Sequence, residues 1–294
     1  MAVRLNPRRI KILAPNLVYK AEISGGSWQP GDLSLDALHD PLPGRVARST
    51  SASPSASQMV LKLDRPRQVG GVVLVNHSMT TAGLWIVQAF RDEALTDCVY
   101  NPEGQATEAY PRLFRTRDLP WSHPNWWSGK PLAEDIGRVT TGAILLLGRT
   151  VTARWWKIQL IDPTNPKNVI DVGKVLLGPV VDLGVNYVPG AALAVIDEST
   201  MSQSMSGARF FRKGAKRRRF VFGFSQMREA EVFAKLFDLT AELGITEEFF
   251  LIPNPLDTTN LQRRSFVAHL KEPTALEQVA LRRLSASFIA EELI

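Results

Sequence analysis

Thr152-Ala153-Arg154-Trp155-Trp156-Lys157-Ile158-Gln159-Leu160-Ile161 alternates with a period of two. Trp156, Ile158 and Leu160 fall on one face and Trp155, Lys157 and Gln159 on the other, as in a strand with one face turned to a core. The turn Asp162-Pro163-Thr164-Asn165-Pro166 closes it, and Val169–Leu177 comes next as a second strand. Toward the N-terminus the same grammar recurs in Ala143–Leu147, Gly83–Phe90 and Met59–Leu63. Gly71-Val72-Val73-Leu74-Val75 is apolar throughout, which suits a strand covered on both faces. Short strands with regular turns and no helical period predict a β-sandwich or jelly roll over the first 180 residues.

The chain has 294 residues, enough for about two domains at roughly 150 residues each. With 45% hydrophobic and 22% charged residues, wholesale disorder is excluded. The single cysteine, Cys98, excludes a disulfide framework and a Cys-rich zinc site. Apolar runs such as Ala143–Leu147 fall far short of the roughly 20 residues that span a bilayer. Met1–Asn16 is charged and lacks the apolar segment of a signal peptide. A soluble protein without membrane insertion is expected. Lys and Arg number 35 against 29 Asp and Glu, a net charge of +6. Six of these bases (Arg212, Lys213, Lys216, Arg217, Arg218 and Arg219) lie in one run, and without them each sign counts 29. The chain is neutral with one basic patch, which argues against a broad nucleic-acid-binding face.

Ser-rich segments at Ser49–Ser57 and Ser199–Ser206 read as loops, the second as a flexible joint before the basic run. Beyond it the pattern changes. Arg218–Phe224 alternates like a strand. Ser225 can cap a helix and Gly244 can end it, so Met227–Leu243 reads as one helix. Arg228, Glu231, Lys235, Asp238 and Glu242 form a narrow polar stripe on it. The apolar remainder is far wider than the arc of about 100° that a surface helix needs, so the helix is expected to meet a second partner. Glu248–Ile252, Ser265–Leu270 and Val279–Ala290 complete a β-α-β-β-β order. The fold class is therefore mostly β: a jelly roll at 16–180 after an N-terminal arm at 1–15, then an α+β domain at 181–294, with a linker around 198–216.

Two segments resemble known families. Ala153–Asp162, Asn165 and Ile170-Asp171-Val172-Gly173-Lys174-Val175-Leu176-Leu177-Gly178 resemble the closing strands of discoidin-like (galactose-binding-like) jelly rolls. Leu33–Asp36 and Gly44–Thr50 are similar to the opening segments of such domains in phage virion proteins. Phe220–Ser225 with its helix, Phe249–Asp257 and Arg264–Leu270 are similar to the strand-helix-strand-strand unit of tail-tube, distal-tail and baseplate proteins of tailed phages. That resemblance implies sheets joined between subunits in a ring around the tail channel. It also implies copies of itself and tail-tube, hub and baseplate proteins as partners, and a place in the virion tail tip after synthesis in the host cytoplasm. Nucleic acid would at most pass through the channel.

No catalytic constellation is legible. His39, His77, His123 and His269 are widely spaced, and there is no metal-binding spacing, nucleophile elbow or phosphate-binding loop. The acidic pairs Glu134–Asp135, Glu247–Glu248 and Glu291–Glu292 read as solvated surface. Cys98 reads as inert packing. No enzyme, cofactor or metal is expected, and no clustered Asp/Asn loop suggests calcium. Trp121, His123, Trp126 and Trp127 fall within one proline-rich loop. They either offer aromatic faces to a host-surface glycan or hold the loop against protein. Phe233, Leu236 and Phe237 are the expected subunit contacts, together with the basic run. The main expectation is a phage tail-tip structural protein that assembles into a ring between tail tube and baseplate. The alternatives are a carbohydrate-binding, lectin-like protein and a glycan-active enzyme carrying a binding module.

Overall fold

In the computed structural model, residues 5–42, 44–102, 105–113, 117, 119–132, 136 and 142–293 are described. The described chain is mostly β, and it divides into two compact units. The first comprises residues 1–182 and 249–266, the second 183–248 and 267–294.

The first unit is built on two 20-residue strands, Gln58–His77 and Gly142–Ile161. They pair antiparallel in three stretches separated by register shifts. Their outer halves, Gln58–Lys62 and Trp155–Ile161, pair with one another, and the second of them lies beside Leu84–Phe90. Their inner halves, Gly71–Val75 and Gly142–Leu146, also pair with one another, and the first of them lies beside Asp171–Gly178. Strands that change layer at a bulge form the corners of a sandwich. Met59, Leu61, Trp85, Trp156, Ile158 and Leu160 from the first half meet Val72, Leu74, Val175 and Leu177 from the second in one buried cluster. The expected alternation of the Trp156 strand is therefore present, but two pairs of predicted short strands are in fact two long bent ones.

Gly71–Val75 is buried on both faces, as its unbroken apolar run predicts. The reason is a second layer in the same unit, where Lys11–Leu13 pairs antiparallel with Val180–Val181 and with Phe249–Ile252. A Cβ on Gly71 would touch Leu13 and Val180, and one on Gly178 would sit 2.3 Å from the carbonyl oxygen of Pro15. This layer corrects two expectations. Residues 1–15 are not merely an arm, since Lys11–Leu13 is a buried strand. Phe249–Ile252, assigned from sequence to the C-terminal domain, belongs to the first unit.

In the second unit, Lys216–Arg228 pairs antiparallel with Ala192–Asp197 on one side and Arg283–Glu292 on the other. Arg283–Glu292 pairs in turn with Ala268–Leu270 and Leu276–Ala280. The predicted single strand Val279–Ala290 is thus a tight hairpin, turned at Arg282 with φ of 57°. Phe220, Phe222, Phe224 and Phe288 line one buried face, with ring centroids 5.2–6.0 Å apart.

The helix starts later than the sequence suggests. Ser225 does not cap it, because the strand runs on through a bulge at Phe224/Met227, with Gln226 at φ of 57°. Met227 is a strand residue, and the helix runs from Glu229 to Leu243 with a π-helical middle at Val232–Phe237. Gly244 ends it at φ of 52°, donating its N–H to the carbonyl of Thr240. The expected linker around 198–216 is instead a hairpin of Thr200–Gln203 and Arg209–Arg212. Among the described residues no helix is long and apolar enough to cross a membrane.

Candidate functional site

The aromatic loop lies in the first unit between the Thr107–Glu108 strand and Gly142–Ile161. Trp121 and Trp127 are 78% and 77% exposed. Trp126 is half-buried and meets Trp127 edge-on at 4.7 Å between ring centroids. His123 is half-buried, and its Nδ1 accepts the N–H of Asn125. The loop is tied down by backbone contacts. Arg112 donates from Nε to the carbonyl of Ser128 and from Nη2 to that of Trp127, each at 3.0 Å. Lys130 donates to the carbonyl of Thr81 and pairs with Glu108. Two large aromatic faces are thus presented to solvent on a backbone fixed by charged side chains. Of the four residues that sequence brings together here, only Trp121 and Trp127 offer open faces.

No protein-family model matches the sequence, and no curated protein matches it. Solved structures with partial similarity include carbohydrate-binding modules. One is chitosan-binding module 1 of a chitosanase/glucanase from Paenibacillus sp. IK-5, at 11% identity over 56% of this chain and 98% of that one, with a TM-score of 0.35. A family 32 carbohydrate-binding module of Clostridium perfringens in complex with galactose has 10% identity over 58% and 99%, with a TM-score of 0.36. A fucose-binding module of Streptococcus pneumoniae has 14% identity over 56% and 94%, with a TM-score of 0.35. At these scores the reading of this chain rests on its own residues.

The second unit carries the other candidate surfaces, and here two expectations are corrected. Leu236 is fully buried with Val232, Leu239 and Leu243, so it packs inside its own unit and is no subunit contact. Phe233 and Phe237 are each 47% exposed and lie against one another at 5.6 Å. The basic run is also less free than its composition implies. Arg218 is buried, donating its backbone N–H and its Nε to the Glu292 carboxylate, with Nη2 on the other oxygen. Arg219 pairs with Glu291, Arg217 with Glu198 and Lys216 with Asp197. Four of the six bases are thus used within the unit, because the pairing of Lys216–Arg228 with its two neighbouring strands sets acids beside them. Arg212 and Lys213 alone of the run have no acidic partner among the described residues.

What sequence reading missed is the hairpin just before that run. Phe210 and Phe211 are 61% and 70% exposed, and Met201, Met205, Leu193 and Val195 are exposed near them in sequence. Every residue of both hairpin strands is exposed. The signal was present in Arg209-Phe210-Phe211-Arg212, an aromatic pair inside a segment otherwise rich in serine, glycine and bases.

The remaining candidates do not converge. His39 contacts the carbonyl of Ala21, His77 is buried edge-on to Tyr110, and His123 and His269 lie elsewhere. Cys98 is exposed rather than packed. Glu134–Asp135 lies outside the described residues. Among the described residues no three His, Cys, Asp or Glu side chains gather to hold a metal ion.

Proposed function

We propose that the chain is a structural subunit that assembles with further copies of itself, in the tail tip or baseplate of a phage or phage-like particle. The observation that carries this is the exposed hairpin of the second unit. Soluble monomers rarely expose contiguous large apolar side chains, and they blunt free strand edges. Here Phe210 and Phe211 stand open on a two-stranded ribbon flanked by Arg209, Arg212 and Lys213. An interface that buries them gains about 25 cal/mol per Å² of apolar surface, and the flanking bases favour an acidic counter-surface. Light scattering on the purified chain at low and high salt tests this. A discrete multimer is expected, and the double variant Phe210→Ser/Phe211→Ser is expected to reduce its mass with unchanged circular dichroism. A wild-type monomer at tens of micromolar in both salts refutes self-assembly.

A second reading, carbohydrate binding by the first unit, is favoured by Trp121 and Trp127. Exposed indole faces on a pinned backbone match the apolar faces of pyranose rings, and preorganisation lowers the entropy cost of binding. On a glycan array, Trp121→Ala and Trp127→Ala are each expected to reduce binding at least tenfold. Signals unchanged in both variants, or no signal with the wild type, refute this reading.

A further inference from the structure

A cleft in the first unit, away from the tryptophan loop in sequence, is lined by Gln68, Arg91, Val99, Arg149, Thr150, Val151 and Thr152. Its origin is an irregularity in the central strand pair. Val69 faces Val151 and Gly71 faces Leu146, so Gly70 alone opposes Leu147–Thr150. Bulges re-aim side chains, and this one turns at Gly148, with φ of 67°. It is held by the N–H of Leu5 donating to the carbonyl of Gly148. Arg149 sits next to that turn. A Cβ at Gly70 would lie 3.0 Å from Val180, so a larger residue there is crowded by the neighbouring strand.

The charges in the cleft do not cancel. Arg91 reaches Asp97 only at 3.5 Å, between exposed side chains. Arg149 has no acidic partner among the described residues, and its electrostatic contact is with Tyr100. Gln68 and Thr152, directly paired across the strands, add an amide and a hydroxyl. The guanidinium fork matches planar and tetrahedral oxyanions with two parallel hydrogen bonds. The cleft volume is about 240 Å³, below the roughly 300 Å³ at which pockets for drug-sized ligands begin. It therefore suits one small charged group rather than a long chain.

We propose that this cleft binds an oxyanion, a carboxylate or sulfate, with Arg149 and Arg91 as its cationic partners. The site is independent of the assembly and tryptophan-loop readings. Two sources share this chemistry, a free inorganic anion and the acidic group of a saccharide residue.

Isothermal titration of the full chain with sodium sulfate, glucuronic acid and glucose separates them. Sulfate and glucuronic acid are expected to bind and glucose not. Arg149→Ala is expected to weaken anion binding at least tenfold, and Arg149→Lys to fall between. Arg65→Ala, which removes an exposed arginine outside the cleft, is expected to change nothing. Tighter binding of glucuronic acid than of sulfate assigns the site to a saccharide end; equal binding assigns it to the anion alone. Absence of binding by both anions at millimolar concentration overturns the proposal. So does binding that survives Arg149→Ala in a variant with wild-type circular dichroism.

Discussion

His77 is almost wholly enclosed in the first unit, edge-on to Tyr110 with ring centroids 5.3 Å apart, and neither ring nitrogen has a hydrogen-bond partner among the described residues. Burial pushes its pKa down from 6.5 to about 4, with the Asp162 carboxylate opposing the shift. Between those values the unfolded chain holds a proton that the folded chain lacks, so stability rises with pH across this window and is lost as pH falls below about 6.5. At pH 5 the linkage amounts to about 2 kcal/mol. Urea unfolding at pH 7.5 and 5 checks it. The wild type is expected to lose about 2 kcal/mol more than His77→Phe over that interval, because carboxylates common to both chains cancel. Equal losses in the two proteins refute a neutral buried imidazole. Nothing in the sequence marks His77 as enclosed; it comes two residues after the buried run Gly71–Val75, and its surroundings come from distant segments.

Strands were legible because their signal is local. Trp156, Ile158 and Leu160 point into the core as their alternation requires, and the unbroken apolar run Gly71–Val75 is covered on both faces. The helix was legible only in part. Its end at Gly244 follows from a glycine at positive φ, but its start depends on a bulge at Gln226 that no capping rule locates. The breadth of its apolar arc also merged two populations. Val232, Leu236, Leu239 and Leu243 fill the unit's own core, while Phe233 and Phe237 face away from it. The two classes separate by mutation: Leu236→Ala is expected to cost about 2–5 kcal/mol, and Phe233→Ala about 1 kcal/mol or less. Denaturant midpoints decide it, and equal costs would contradict this division of the helix. The basic run failed for a related reason, since its acids Glu291 and Glu292 lie over 70 positions away and meet it only through strand register.

At the scale of the whole molecule, the sequence distinguished a strand-rich first part from a later part with a helix, but it could not assign Phe249–Ile252. Four apolar residues in a row fit any covered strand, and it is the pairing with Lys11–Leu13 that goes with their place in the first unit. The aromatic loop was legible as a cluster, while the exposures that rank its members were not, because exposure is a property of the surroundings. The interleaved order of segments also bears on biosynthesis. A ribosome that has released the first 182 residues has made nearly all of the sandwich, yet one flank of Lys11–Leu13 still lacks its neighbour. Until residue 252 emerges, that nascent sandwich carries an open hydrogen-bonding edge beside Leu13. Truncation between the two units, the obvious cut on a linear map, would make that transient vulnerability permanent.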